Sequence, residues 1–250
     1  MKKIYLFICN IYNFFFTIVD RTLYKNHSIK NTSELNLLGF ETIKAKKNYN
    51  LNIPEKVFKV NPYMSKDIIK KKDILDLVNF YLINNDLKRI ITKKTGFKYS
   101  IDYFISYTTY KIPDQELDKE IYANQWHTDK PFSKDTLKII IPLNFQNYYN
   151  GGIKIFNLSQ SRLIKKNNSL LLSEKSFEME NKMGQVLLFY PNLCYHKAGN
   201  PEFEGGRKQI MLQLNPSNKW CLNQNIYQKQ FKIEPKFPFF NYLLDKKNLI

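Results

Sequence analysis

The sequence predicts a mainly β protein with flanking helices, of the antiparallel sandwich or jelly-roll (cupin-like) type. From residue 99 the pattern alternates with period two. Tyr99, Ile101, Tyr103, Ile105 and Tyr107 interleave with Ser100, Asp102, Ser106 and Thr108. Further strand-like runs follow: IYANQWHTD, LKIIIPLNF, GGIKIFNL, VLLFYP and KQIMLQLN. No helical pattern separates them, which favours antiparallel strands over a parallel α/β order. Asn150-Gly151-Gly152 is a strong turn signal between two of the runs.

The flanking segments follow in chain order. In residues 1–20, Ile4, Phe7, Ile8, Ile11, Phe14, Phe15 and Ile18 recur at helical spacing. Cys9, Asn10, Asn13 and Thr17 fall toward the other side. The run is short and interrupted for a spanning helix, and no small-residue cleavage site follows it. Two placements remain for this amphipathic helix. It lies on an anionic membrane surface, as a peripheral contact, or it docks on the protein's own core. Residues 25–60 read as a linker or loose cover, so the chain divides into 1–60 and a β domain over 61–250. Two helices are expected in 65–95, the first capped by Ser65, the second starting at Asn85 or Asp86 and ending near Gly96. The aromatic segment from Lys219 onward is expected to pack back over the sandwich.

Composition narrows the function classes. A chain of 250 residues with 43% hydrophobic residues fits one domain with a sizeable core. The net charge of +17 invites a nucleic-acid or an anionic-membrane partner. Against it, only Arg21, Arg89, Arg162 and Arg207 are arginine, and the lysine excess accompanies many Asn, Ile, Tyr and Phe, all residues with A/T-rich codons. Arginine is the usual choice for bidentate contacts to bases, so no nucleic-acid partner is expected. Cys9, Cys194 and Cys221 have no metal spacing and form no disulfide framework, which suits a reducing cytoplasm. Oligomeric state leaves no trace in the sequence.

The chemistry-bearing residues centre on Gln125-Trp126-His127-Thr128-Asp129. In a strand, His127 and Asp129 share a face, and Trp126 packs on the other. An imidazole and a carboxylate side by side, joined by a second histidine, make the 2-His-1-carboxylate set that holds non-haem Fe(II) with positions left open. The pair by itself also fits an ordinary strand end. His196 follows VLLFYP beside a turn. Arg207 opens the strand RKQIMLQLN, where Arg207, Gln209, Met211 and Gln213 alternate with Lys208, Ile210, Leu212 and Leu214. That face lines a polar cavity, with Arg207 a natural partner for a carboxylate. Asn144, two positions after Pro142, is a candidate contact for the same ligand. Tyr103, Tyr107 and Lys138 are further approaches to the site.

The order His127-x-Asp129, Asn150-Gly151-Gly152, His196 and Arg207 resembles the Fe(II)/2-oxoglutarate-dependent dioxygenases, and within them the phytanoyl-CoA dioxygenase family. The resemblance covers residues 95–216. It implies a double-stranded β-helix, with His127, Asp129 and His196 as iron ligands and Arg207 on the distal carboxylate of 2-oxoglutarate. Gln209 stands where many relatives have serine or threonine, and is assigned with Asn144 to the 2-oxoglutarate end. The implied reaction uses 2-oxoglutarate and O2, releases succinate and CO2, and hydroxylates a small molecule, lipid- or sugar-linked. Asp129 is retained where related halogenases have a small residue, which favours hydroxylation. The Pro-Gly-Ser-His ending of many relatives is missing after the Asn-Gly turn, and Gln213 replaces the second arginine of nucleic-acid demethylases. A prolyl-type peptidyl hydroxylase and a non-catalytic jelly-roll binding module are the alternatives.

Overall fold

The computed structural model describes residues 2–29, 33–45, 57–84, 86–129, 133–144, 151–167, 175–179, 184–202, 205–223 and 248–249. The chain opens with helix α1 (Lys2–Leu23), a short α2 (Glu34–Leu38) and strand β1 (Phe40–Lys44). A hairpin follows, β2 (Val57–Asn61) and β3 (Met64–Asp67). Next come α3 (Lys71–Asn79), a π-helical turn over Phe80–Asn84, and α4 (Leu87–Thr95). Gly96 ends α4 in the left-handed conformation at φ 78°, with its N–H on the Thr92 carbonyl, as the sequence predicts. Ser65 does not cap a helix. It lies inside β3, and α3 begins only at Lys71. The buried positions of β3 are the polar Ser65 and Asp67, so its sequence carries no apolar alternation to mark a strand.

The long β4 (Lys98–Thr109) leads the β region, followed by β5 (Leu137–Pro142) and β6 (Lys154–Ile155). Helix α5 (Leu158–Lys166) follows the GGIKIFNL run, whose strand is confined to Lys154–Ile155. Asn157 accepts the Gln160 N–H, and the Gln160 side chain accepts the Asn157 N–H, so the helix starts on a reciprocal capping box. Asn157→Ala should lower stability by about 1 kcal/mol. That is a fall in Tm of about 2–4 °C for a chain of this length, read in a thermal melt. The remaining strands are β7 (Phe177–Glu178), β8 (Gln185–Phe189), β9 (His196–Lys197), β10 (Arg207–Ser217), β11 (Cys221–Asn223) and β12 (Asn248–Leu249).

The larger sheet runs β1-β8-β5-β10-β4-β11-β12, with β3 also on β4 and β2 on β3. Its pairs are antiparallel except β11 with β4. Thus β1, inside the stretch read as loose cover, is a strand of the main sheet. The smaller sheet is β7-β6-β9. This two-sheet antiparallel arrangement is a jelly-roll core with flanking helices.

Both faces of the larger sheet are covered. Ile139, Ile141, Leu188, Ile210 and Leu212 pack with Leu35, Leu77, Leu87 and Ile91 from the helices. Ile140, Leu187 and Phe189 point the other way, toward Ile153 and Ile155. A strand covered on both sides has little polar face to show, so LKIIIP is apolar except for Lys138, whose ammonium is paired with Asp129. Trp220 packs on the helix-side core and donates to Thr92 Oγ1 at 3.0 Å. Tyr227, Phe231, Phe237, Phe239, Phe240 and Tyr242, expected to pack over the sandwich, lie outside the described residues.

Candidate metal centre

His127 and Asp129 do not sit on a regular strand. His127 makes a single antiparallel bridge to His196, the first residue of β9. The two histidines exchange main-chain hydrogen bonds, His127 N–H to the His196 carbonyl at 3.1 Å and His196 N–H to the His127 carbonyl at 2.9 Å. Directly opposed residues project side chains to the same face, so the bridge itself puts the imidazoles together. Their ring centroids are 4.4 Å apart. Asp129 is fixed by its N–H on the Pro191 carbonyl at 2.9 Å. Its Oδ1 lies 3.6 Å from Nε2 of each histidine.

The outer nitrogens set the tautomers. His127 Nδ1 donates to the Gln125 carbonyl at 2.8 Å, and His196 Nδ1 donates to the Cys194 carbonyl at 3.0 Å. A carbonyl only accepts, so each Nδ1 carries the proton and each Nε2 keeps its lone pair facing the carboxylate. Burial, only partly offset by Asp129, lowers the His196 pKa to about 3, which keeps it neutral. Burial also works to lower the His127 pKa, but the nearby Asp129 carboxylate and the Gln125 carbonyl leave it raised above the usual imidazole value. Burial would raise the Asp129 pKa; the Lys138 charge and the two histidines hold it well below the usual carboxylate range. Lys138 Nζ pairs with Asp129 Oδ2. Two imidazoles with Nε2 turned inward and one ionised carboxylate, with all three ligand atoms within 4.8 Å of one another, are a donor set that fits a divalent transition metal.

Beside the triad is a cavity of about 240 Å³. His127 and His196 line it, together with Lys138, Tyr103, Tyr107, Arg207, Gln209 and Met211. Arg207 is 1% exposed. Its Nη1 donates to the Gly151 carbonyl at 2.5 Å, while Nε and Nη2 have no partner among the described residues. Gln209 donates through Nε2 to the Tyr107 hydroxyl, and its Oε1 is buried and unpaired. Thr109, directly opposite Arg207 in the register, also has an unpaired buried hydroxyl. Buried polar groups are nearly always satisfied, so this cluster marks a place for a ligand. A carboxylate fits the free edge of the guanidinium.

Of the residues singled out in the sequence, His127, Asp129 and His196 converge, and Arg207, Gln209, Tyr103, Tyr107 and Lys138 surround the adjoining cavity. Asn144 is elsewhere. Its side chain donates to the Gly206 carbonyl at 3.1 Å and accepts the Lys208 N–H at 3.0 Å, bracing the start of β10 outside the cavity wall. Trp126 packs on Phe156 with centroids 4.5 Å apart. Missed from the sequence were Val60, Met64 and Lys66 of the β2–β3 hairpin, and Tyr122 and Ala123, all of which line the cavity.

The Asn-Gly-Gly turn does more than reverse the chain. Gly151 has φ 67°, and a Cβ there would lie 2.6 Å from the Pro201 nitrogen. The same residue's carbonyl holds Arg207. Gly151→Ala should therefore lower Tm and weaken binding of a carboxylate ligand together, because relieving the clash moves that carbonyl. Melting curves and ligand titration on the same sample check both effects.

No protein-family model matches the chain, and no curated protein matches it. Solved structures do. The non-heme alpha-ketoglutarate-dependent epimerase SnoN from nogalamycin biosynthesis is 11% identical, with a TM-score of 0.53 over 73% of this chain and 79% of SnoN. SnoN in complex with Fe3+, alpha ketoglutarate and nogalamycin RO is 10% identical, with a TM-score of 0.53 over 73% and 80%. HygX from Streptomyces hygroscopicus, with nickel, 2-oxoglutarate and hygromycin B bound, is 13% identical, with a TM-score of 0.48 over 73% and 85%. At such identity the likeness to SnoN establishes one thing, that this chain has the jelly-roll fold of that enzyme.

Proposed function

We propose that the chain is an Fe(II)- and 2-oxoglutarate-dependent oxygenase that hydroxylates a small molecule. One observation carries the reading: a buried arginine with two unpaired nitrogens faces the same cavity as a His-Asp-His triad. A buried cation without its counter-ion is costly, and a carboxylate of bound 2-oxoglutarate would supply that counter-ion. When bound, Fe(II) with 2-oxoglutarate and O2 supplies the oxidising power, giving succinate, CO2 and a hydroxylated product.

The residues have separable tasks. His127, Asp129 and His196 would hold the iron, with both imidazoles oriented by backbone carbonyls. Arg207 anchors the distal carboxylate, and Gln209, tied to Tyr107, presents its free oxygen nearby. The apolar wall of Met64, Ile105, Ile153 and Phe189 limits water around the site. A cavity of about 240 Å³ lies below the about 300–1,000 Å³ of sites that enclose drug-sized ligands. That size favours a compact reacting group over an enclosed large one. The phytanoyl-CoA dioxygenase likeness is the finer form of this reading, and it rests on motif order alone.

The test begins anaerobically. Fe(II) and 2-oxoglutarate together should give a visible charge-transfer absorbance that neither gives alone, and admission of air with substrate should release succinate. Hydroxylated product separates this activity from the epimerase chemistry named for SnoN. Iron binding without the absorbance band, and no succinate across a substrate screen, would sink the oxygenase reading in favour of a binding module.

A further inference from the structure

Helix α1 is mounted on the domain the opposite way from an ordinary amphipathic helix. Its inward side carries buried Cys9, Phe16, Thr17 and Asp20. Thr17 Oγ1 accepts the Lys134 N–H at 2.9 Å. Arg21 grips Asp135 with two hydrogen bonds, 2.7 Å from Nε and 2.9 Å from Nη2. The apolar stripe therefore faces out. Ile4 and Phe7 are each 65% exposed and Phe14 63% exposed, with Ile11, Phe15 and Ile18 close behind. A soluble helix normally buries this stripe. Such a continuous exposed apolar face marks an interaction surface.

We propose that α1 is a membrane-surface anchor that lays this stripe into the interface of an anionic lipid bilayer. Charge selects the occupant. Lys2 and Lys3 stand in the first turn, and the one acidic residue of the helix, Asp20, is fully buried. Lys134, whose N–H meets the helix, is exposed. The chain as a whole carries +17. Like charge of that size opposes a second copy on the same face, and attracts anionic headgroups. Among the described residues no helix is long and apolar enough to cross a membrane. A helix apolar on one side and fastened to the protein on the other lies in the interface plane.

The proposal is independent of the oxygenase reading, and the experiment keeps them apart. The full chain is sedimented with phosphatidylcholine vesicles, with and without phosphatidylglycerol, at low and high salt. Binding should require phosphatidylglycerol and weaken with salt. The double variant Phe7→Ser/Phe14→Ser should bind at least roughly tenfold more weakly, given the apolar area removed. Its Tm and its iron and 2-oxoglutarate binding should stay at the wild-type values, because both side chains are outside the core. Three results would overturn the anchor: wild-type-like vesicle binding by the double variant, a clear loss of Tm in it, or no vesicle binding. A dimer in analytical ultracentrifugation that the same substitutions dissociate, without vesicle binding, would assign the stripe to a second copy.

Discussion

Arg207→Leu should abolish 2-oxoglutarate-dependent turnover while leaving metal binding intact. The guanidinium is buried, held among the described residues by the Gly151 carbonyl alone, and leaves Nε and Nη2 unpaired beside the cavity. Removing one member of a buried charge pair costs about 3–5 kcal/mol, or at least a hundredfold in co-substrate affinity. In the ligand-free protein the sign reverses for stability. Leucine removes an uncompensated buried cation, so Tm should hold or rise, less the contribution of about 1 kcal/mol from the Gly151 bond. Arg207→Lys keeps the charge but loses the fork, and should fall between the two. Isothermal titration with 2-oxoglutarate, with metal content measured in parallel, separates these outcomes. Unchanged affinity in Arg207→Leu would mean that the carboxylate binds elsewhere.

His196→Ala should lose metal and turnover together, by more than the about 10–100-fold that follows from changes behind the ligands. His196 is buried, neutral and aimed by the Cys194 carbonyl, and no other described histidine is placed to substitute for it. The substitution also leaves a small void against Phe189, whose ring lies 4.9 Å from the imidazole, so some loss of Tm is expected. Asp129→Ala supplies the control. It creates less void, yet should lose metal equally and release Lys138 from its ion pair. Metal analysis after anaerobic loading reads both variants. Retention of stoichiometric iron by either would remove that residue from the ligand set.

The site was more legible in the sequence than the elements around it. Histidine and arginine are scarce here, three and four residues, so a His-x-Asp pair, a distal histidine and a strand-opening arginine stood out. Lysine is abundant, and nothing in the sequence separates Lys66 and Lys138 of the cavity wall from solvated lysines. Asn144 was misplaced because its position two beyond Pro142 says nothing of direction; it bonds backbone at the edge of β10 instead. Strands β1 and β3 are short, and β3 turns its polar Ser65 and Asp67 inward, so no apolar alternation marks it. Helix α5 was findable, since Asn157 and Gln160 stand at capping-box spacing.

The reciprocal amide bonds between residues 127 and 196 belong to the peptide chain and not to the imidazoles. Scaffold and chemistry are therefore decoupled at this point. A descendant that lost both rings would still close the same seam, and would survive as a folded shell with nothing left to react. Slow deuterium exchange at those two amides in a ring-free variant would show that persistence directly.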